Sequence, residues 1–313
     1  MDDTSFTDIV VATDGSDPAA AAVDAAIGLA AGTGATLHAC TVVNPFPTGQ
    51  SLADIRKRRE EADERVESIA ARADATGVDA VATVREGVPA DELLAYVDEV
   101  GAGMVVIGTH GRGGARRVLL GSVAETVVRT ADVPVLVVHG DGVEGEWGSE
   151  SRVLLATDGS DAVAPAERIG VDLAATLGAR LTAVSAVDQA RALTSAGGGV
   201  LTNETVESVK RALTTRATDA VDRALDRAEA VGVDADGEVI EGEPSRAVCR
   251  YARDSNADLL VVGTHGRTGV RRVVLGSVAE RILRAADRPV LVVPATAGSL
   301  DEARANADTE SEG

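Results

Sequence analysis

Short apolar runs alternate with longer segments of helical periodicity along most of the chain. Residues 8–13, 35–43, 80–85, 104–108 and 133–139 are apolar or β-branched runs of strand length. Between them, 18–32 is Ala-rich and closes at Gly32. The segment 51–76 carries Leu52, Ile55, Ala62, Val66, Ile69 and Ala73, and shorter helical stretches occupy 90–101 and 122–131. Spacings of three and four place such residues on one helix face. Continuous apolar strands alternating with helices predict a parallel sheet covered on both faces. Thr13-Asp-Gly-Ser-Asp-Pro18 reads as a turn entering a helix, with Ser16 or Asp17 as N-cap and Pro18 in the first turn.

The pattern then repeats. Ile9–Asp17 returns as Val153–Asp161 at an offset of 144 positions, and Gly34–Val43 returns as Gly178–Val187 at the same offset. The offset becomes 155 by Gly108 and Gly263, so the second half carries 11 extra residues between Val187 and Gly232. Its long helix, at about 203–231, follows the tract S-A-G-G-G, a natural home for much of that insertion. The reading is an α/β protein of two tandem, doubly wound, five-stranded parallel-sheet domains. Domain one spans 1–140, a polar, Gly-rich linker 141–151, and domain two 152–296. Residues 297–313, acidic, small and aperiodic, read as a disordered tail. Trp147, in the linker, either pins it to a domain or stands exposed.

Chemistry concentrates where the fourth strand of each half ends. V-V-I-G-T-H-G-R-G-G-A-R-R-V-L-L-G-S (105–122) recurs as V-V-G-T-H-G-R-T-G-V-R-R-V-V-L-G-S (261–277). An apolar strand breaking into a Gly-rich loop and then a helix start suits phosphate: the main chain can be approached closely, and the helix start offers unpaired N–H groups. The spacing is neither the dinucleotide fingerprint nor the Walker A loop, and the loop contains no Lys. In a doubly wound sheet the ligand crevice lies at the carboxyl ends of the strands, beside the switch point. Strands one and four flank it, bringing Asp14 and the Gly loop together.

Each of these residues also has a plainer reading. Ser122-Val-Ala-Glu125 and Ser277-Val-Ala-Glu280 have capping-box spacing, with Ser at N-cap and Glu at N3. Asp14 and Asp158 fit Asx turns. His110 and His265 have no acid or nucleophile beside them in sequence and fit loop structure. Arg112, Arg116, Arg117, Arg267, Arg271 and Arg272 serve either phosphate neutralisation or surface ion pairs. His38 and His139 lack metal-ligand spacing, and no metal site is read.

Composition narrows the field. The formal charge is −20, from 50 acidic and 30 basic residues, of which only Lys57 and Lys210 are lysine. So acidic a surface argues against nucleic acid or anionic membranes as partners. Dispersed acids fit adaptation to high salt. Cys40 and Cys249 lie in different halves, which argues against a disulfide and for a reducing cytoplasm. The N-terminus shows no secretory signal and no run is long enough to span a bilayer.

Together these motifs resemble the nucleotide-binding branch of the universal stress protein family, in two tandem copies and with a haloarchaeal-like composition. The family's ATP signature, Gly-two-Gly-nine-Gly-Ser/Thr, is met by Gly108, Gly111, Gly121 and Ser122 and again by Gly263, Gly266, Gly276 and Ser277. A-T-D-G-S after strand one and P-V-L-V-V near the end of each half are also family-like. The resemblance implies an adenine nucleotide alpha hydrolase-like fold with pseudo-twofold halves. It implies ATP as ligand, with Mg2+ or Mn2+ as a candidate companion. Gly111, Gly121 and Ser122 would bond the phosphates while Gly108 lets the strand end turn. Arg112 and Arg267 join the candidate set, Asp14 would face ribose and phosphate, and Val42 would hold adenine through its main chain. Asp158 and Ala186 are the second-half counterparts of Asp14 and Val42, Ala186 giving a roomier pocket. The implied function is an ATP-binding stress-response or signalling module. Slow ATP hydrolysis or phosphoryl transfer at the same sites, or a nucleotide-free scaffold, are the alternatives. No catalytic base is displayed. The resemblance also implies that Val133–His139 pairs with Arg288–Val293 as an intrachain pair, with further homodimerisation and protein partners left open.

Overall fold

The computed structural model describes residues 6–45, 52–109, 120–139, 147–190, 202–264 and 275–297. The first half runs β1 (Asp8–Ala12), α1 (Asp17–Thr33), β2 (Thr36–Val43), α2 (Leu52–Asp74), β3 (Ala80–Glu86), α3 (Pro89–Val100), β4 (Met104–Gly108), α4 (Ser122–Thr130) and β5 (Val135–Val138). The second runs β6 (Arg152–Ala156), α5 (Ala164–Leu177), β7 (Arg180–Val187), α6 (Asn203–Ala230), β8 (Ala235–Glu241), α7 (Pro244–Asp254), β9 (Leu259–Gly263), α8 (Ser277–Ala285) and β10 (Val290–Val293). Every strand read from the sequence in the first half is present. The helix boundaries shift by one or two residues.

Strand order is β3-β2-β1-β4-β5 in one half and β10-β9-β6-β7-β8 in the other, with parallel neighbours throughout the first half and across β9-β6-β7-β8 in the second. The order reverses between β1 and β4, and between β6 and β9, and those reversals are the switch points. The chain forms two compact units. Among the described residues, one extends to Trp147 and takes in Asp287–Val292 and residues 296–297. The other comprises Gly148–Ala286 and Val293–Ala295. Val290, Leu291 and Val292 pair antiparallel with Val137, Leu136 and Val135, so the fifth strands join as expected and the sheet is mixed. Both strands are wholly buried, and pairing removes open apolar edges that otherwise invite association.

The sequence explains the packing locally. α1 is nearly all Ala, Val, Ile and Leu on its inner positions and packs on β1 and β4. Ser16 caps it weakly, accepting from the Ala19 N–H at 3.4 Å. The helix runs past Gly32 and ends instead at Gly34, whose φ of 73° closes the last turn in the left-handed region. β4 ends at Gly108 for a different reason from the expected turn. A Cβ there would lie 2.5 Å from the Pro18 carbonyl oxygen, so Gly108 provides space for α1 rather than backbone freedom. Trp147 resolves the two readings of the linker. It is 5 % exposed, and its ring lies against Gly28 of α1. α6 has 28 residues against 23 in α2, so part of the insertion lengthens this helix. The S-A-G-G-G tract and 298–313 lie outside the described residues.

His38 is buried and structural. Its Nδ1 meets the Tyr96 hydroxyl and its Nε2 the Asp8 carboxylate, each at 2.9 Å. Thr83 donates to the same Tyr96 hydroxyl at 2.8 Å. Cys40 and Cys249 are free and buried. Burial pushes the Cys40 thiol from its ordinary 9.0 up to about 12, Arg85 opposing the shift slightly. Its neutral state therefore supports the fold fully below pH 9, and that support is lost as pH rises towards 12. Native protein at pH 8 should leave Cys40 unmodified by iodoacetamide over an hour, whereas urea-unfolded protein should be modified within minutes. Peptide mass mapping checks this, and rapid native labelling of Cys40 would contradict the packing described.

Candidate nucleotide-binding crevice

The turn at the carboxyl end of β1 is built the same way as the one after β6. After β1, the Thr13 N–H donates to the Cys40 carbonyl at 2.9 Å, and Thr41 donates its hydroxyl to the Thr13 carbonyl at 2.9 Å. Thr13 Oγ1 in turn accepts the Gly15 N–H at 3.2 Å. Gly15 sits at φ 78°, and Asp14 Oδ1 accepts from the Ser16 N–H at 3.0 Å and the Ser16 hydroxyl at 2.6 Å. Thr157, Asp158, Gly159 (φ 69°) and Ser160 reproduce these bonds, at 3.0 Å, 3.0 Å and 2.6 Å. The Asx-turn reading of Asp14 and Asp158 is thus correct for one carboxylate oxygen of each.

The Gly loop leaves β4 at Gly108 and is tied at its base. The Thr109 N–H donates to the Val138 carbonyl at 3.0 Å, and the Gly121 N–H donates to the Thr109 carbonyl at 2.6 Å. In the second half Thr264 bonds the Val293 carbonyl at 2.8 Å and Gly276 bonds the Thr264 carbonyl at 2.7 Å. Gly111, Arg112, Gly266 and Arg267, the histidines His110 and His265, and the other loop arginines lie outside the described residues.

Each helix starts one residue earlier than a capping box at serine requires, because the Gly121 and Gly276 carbonyls accept the Glu125 and Glu280 N–H groups at 2.8 and 2.9 Å. Gly121 and Gly276 are the N-caps, extended at φ −63°, ψ 152° and φ −60°, ψ 143°, so Ser122 and Ser277 are the first helical residues. A capping box at serine would have the Glu125 and Glu280 side chains accept the serine N–H. Glu125 and Glu280 turn along the helix instead and accept from Arg129 and Arg284 at 3.0 and 2.9 Å. The Gly121 N–H itself is bonded to the Thr109 carbonyl. No side chain caps either helix start. The donors facing outward there are the first-turn N–H groups and the serine hydroxyl, where an anion is favoured.

Val42 and Ala186 lie next to last on β2 and β7, both partly exposed, at the same carboxyl edge. β2 and β4 flank β1, so Val42, Asp14, Gly108 and Ser122 share one end of the first unit's sheet. Asp158, Ala186, Gly263, Gly276 and Ser277 share the corresponding end in the second unit. Among the described residues no group of three or more His, Cys, Asp or Glu forms a metal-binding cluster. No described helix is long and apolar enough to cross a membrane.

Several residues at these loops carry no functional signal in the sequence. Arg65 of α2 lies against Gly15, where a Cβ would come within 2.5 Å of its Nε. Arg223 of α6 donates to the Gly159 carbonyl at 2.7 Å. Only the fold says what these two arginines meet. Glu167, 4 % exposed, accepts from Thr157 at 2.5 Å where the first half has the buried Val23. It lines a cavity of about 450 Å³ beside the second loop with Ser160, Asp161, Arg223 and Asp226.

Comparison with known proteins places this architecture. The universal stress protein family matches residues 5–139 and again 151–294. A universal stress protein of Mycolicibacterium smegmatis is 32 % identical over 259 residues, covering 80 % of this chain and 83 % of that protein. One from Methanocaldococcus jannaschii is 34 % identical over 142 residues, 45 % of this chain and 81 % of that protein. The crystal structure of a universal stress protein from Archaeoglobus fulgidus superposes with a TM-score of 0.70 at 21 % identity. It covers 93 % of this chain and 99 % of that one, a likeness of fold. The tandem repeat, the two switch-point crevices and the family match lead to one conclusion: this chain belongs to the universal stress protein family, as a two-domain member.

Proposed function

We propose that each half takes an adenine nucleotide, ATP first, and that the chain works in the cytoplasm as a nucleotide-dependent stress-response or signalling module. The observation that carries this is the start of α4 and of α8. In each, an uncapped helix N-terminus with serine in its first turn opens beside a tightly bonded Asp-Gly-Ser loop at the switch point. Backbone N–H groups, a hydroxyl and the helix dipole suit phosphoryl oxygens. Ser122 and Ser277 would donate to the phosphates, with Gly111, Arg112, Gly266 and Arg267 completing the loop. Asp14 and Asp158 would face the ribose and phosphates, and a Mg2+ or Mn2+ ion there would offset phosphate charge. Main-chain groups at Val42 and Ala186 would take the adenine edge.

The test is to purify the full chain in molar KCl without nucleotide, denature it, and quantify released small molecules by chromatography. We expect ATP, near two equivalents if both crevices hold it and near one if the halves have diverged. ADP alone would favour the hydrolytic reading. No nucleotide, together with no thermal shift from added Mg-ATP, would leave a nucleotide-free scaffold.

A further inference from the structure

We infer that Arg58 is an anion-binding residue peculiar to the first half, placed to meet a phosphoryl oxygen of the nucleotide; this rests on the reading just given. α2 links the parallel strands β2 and β3, so it runs against them and its first turns lie at their carboxyl ends. Arg59 confirms that level: it forms an ion pair with Glu86, the last residue of β3. Two turns further along α2, Arg65 lies on the Gly15 loop.

Arg58 stands seven residues before Arg65, on the same side of the helix and about 10 Å higher at 1.5 Å per residue. It continues the inward stripe of the buried residues Ala62, Val66, Ile69 and Ala73. That stripe therefore extends past the Gly15 loop to the level where the crevice opens.

The side chain carries the second, independent observation. Arg58 Nε and Nη2 are buried and make no hydrogen bond. A guanidinium stays charged at any ordinary pH, so it cannot answer burial by losing a proton. Two adjacent buried N–H donors on one planar fork match an anion with two oxygens, which is phosphoryl geometry.

The second half lacks this group. Ala217, Val221, Ala224 and Ala228 repeat the buried stripe of α2 at an offset of 155, and the residue then corresponding to Arg58 is Leu213. Arg223 is no substitute, since it is spent on the Gly159 carbonyl. The two crevices therefore differ in charge. The first should prefer ligands with more phosphates, and the second should discriminate little.

The experiment is calorimetric titration of the full chain with adenosine, AMP, ADP and ATP. It compares wild type with R58L, R58K and L213R, and uses a Gly266→Val background to silence the second site when the first is measured. R58L should weaken ATP about tenfold or more at the first site. It should leave adenosine within about twofold, as expected for loss of a charged bond alone. R58K should fall between, keeping charge without the fork, and L213R should tighten ATP at the second site. Unchanged ATP affinity in R58L, or equal loss for adenosine and ATP, would overturn the inference. If wild type binds none of the four, the nucleotide reading itself falls. A thermal shift by inorganic phosphate, present in wild type and lost in R58L, would then still support Arg58 as an anion site; its absence would overturn it.

Discussion

Trp147→Ala is expected to destabilise the first unit by about 3–5 kcal/mol, the usual loss when a buried aromatic is cut to alanine. The ring is 5 % exposed and lies against Gly28 of α1, so removing it opens a cavity beneath a helix that itself covers β1 and β4. For a unit of this size the melting temperature should fall by roughly 10 °C. Trp147→Phe is the informative companion. Indole Nε1 is buried without a hydrogen bond, so phenylalanine forfeits volume but no bond. It should retain most of the stability. Calorimetric scans of the three proteins in the same salt decide the matter, and a change below about 1 kcal/mol for alanine would mean that the linker is not held by this contact.

Gly108→Ala should act on stability and ligand together. The new methyl would meet the Pro18 carbonyl oxygen at 2.5 Å and its carbon at 2.6 Å, both backbone atoms that no rotamer change can clear. Either α1 or the end of β4 must move. Overpacking of this kind costs about 1–3 kcal/mol, and valine should cost more. The movement separates the two loops of the crevice, because Pro18 follows the Asp14 turn and Gly108 opens the Gly loop. Nucleotide carried through purification should therefore fall in the first half while the second keeps its share. Gly34→Ala is the control: it places a side chain at φ 73° with open space around it. It should cost about 1 kcal/mol through strain alone and leave the ligand in place. Equal nucleotide loss in both variants would show that general destabilisation, and not the position of Gly108, empties the site.

Much of this can be read from residues in a row. An internal repeat, five apolar runs per half and helices between them define a doubly wound sheet, because periodicity and strand burial are local signals. The Asx turns at Asp14 and Asp158, the N-cap at Ser16 and the duplicated Gly signature are likewise local. The antiparallel joining of β5 to β10 follows from family resemblance instead, since nothing in V-L-V-V itself chooses a partner.

Other assignments depend on bonds between distant residues. Ser122 and Glu125 have capping-box spacing, but the Glu125 N–H bonds the Gly121 carbonyl, so the cap is Gly121 and the Glu125 carboxylate turns to Arg129. Gly108 looks like a turn residue and is instead a gap for α1. Trp147, Arg65, Arg223 and Glu167 carry no signal in their own neighbourhoods. By itself, then, the sequence determined the element pattern and the duplication, both of which follow from spacing along the chain. Tertiary structure alone decided which N–H groups are already spent, which glycine is needed for space and which arginine keeps two buried N–H groups unbonded, because those depend on neighbours that only folding brings together.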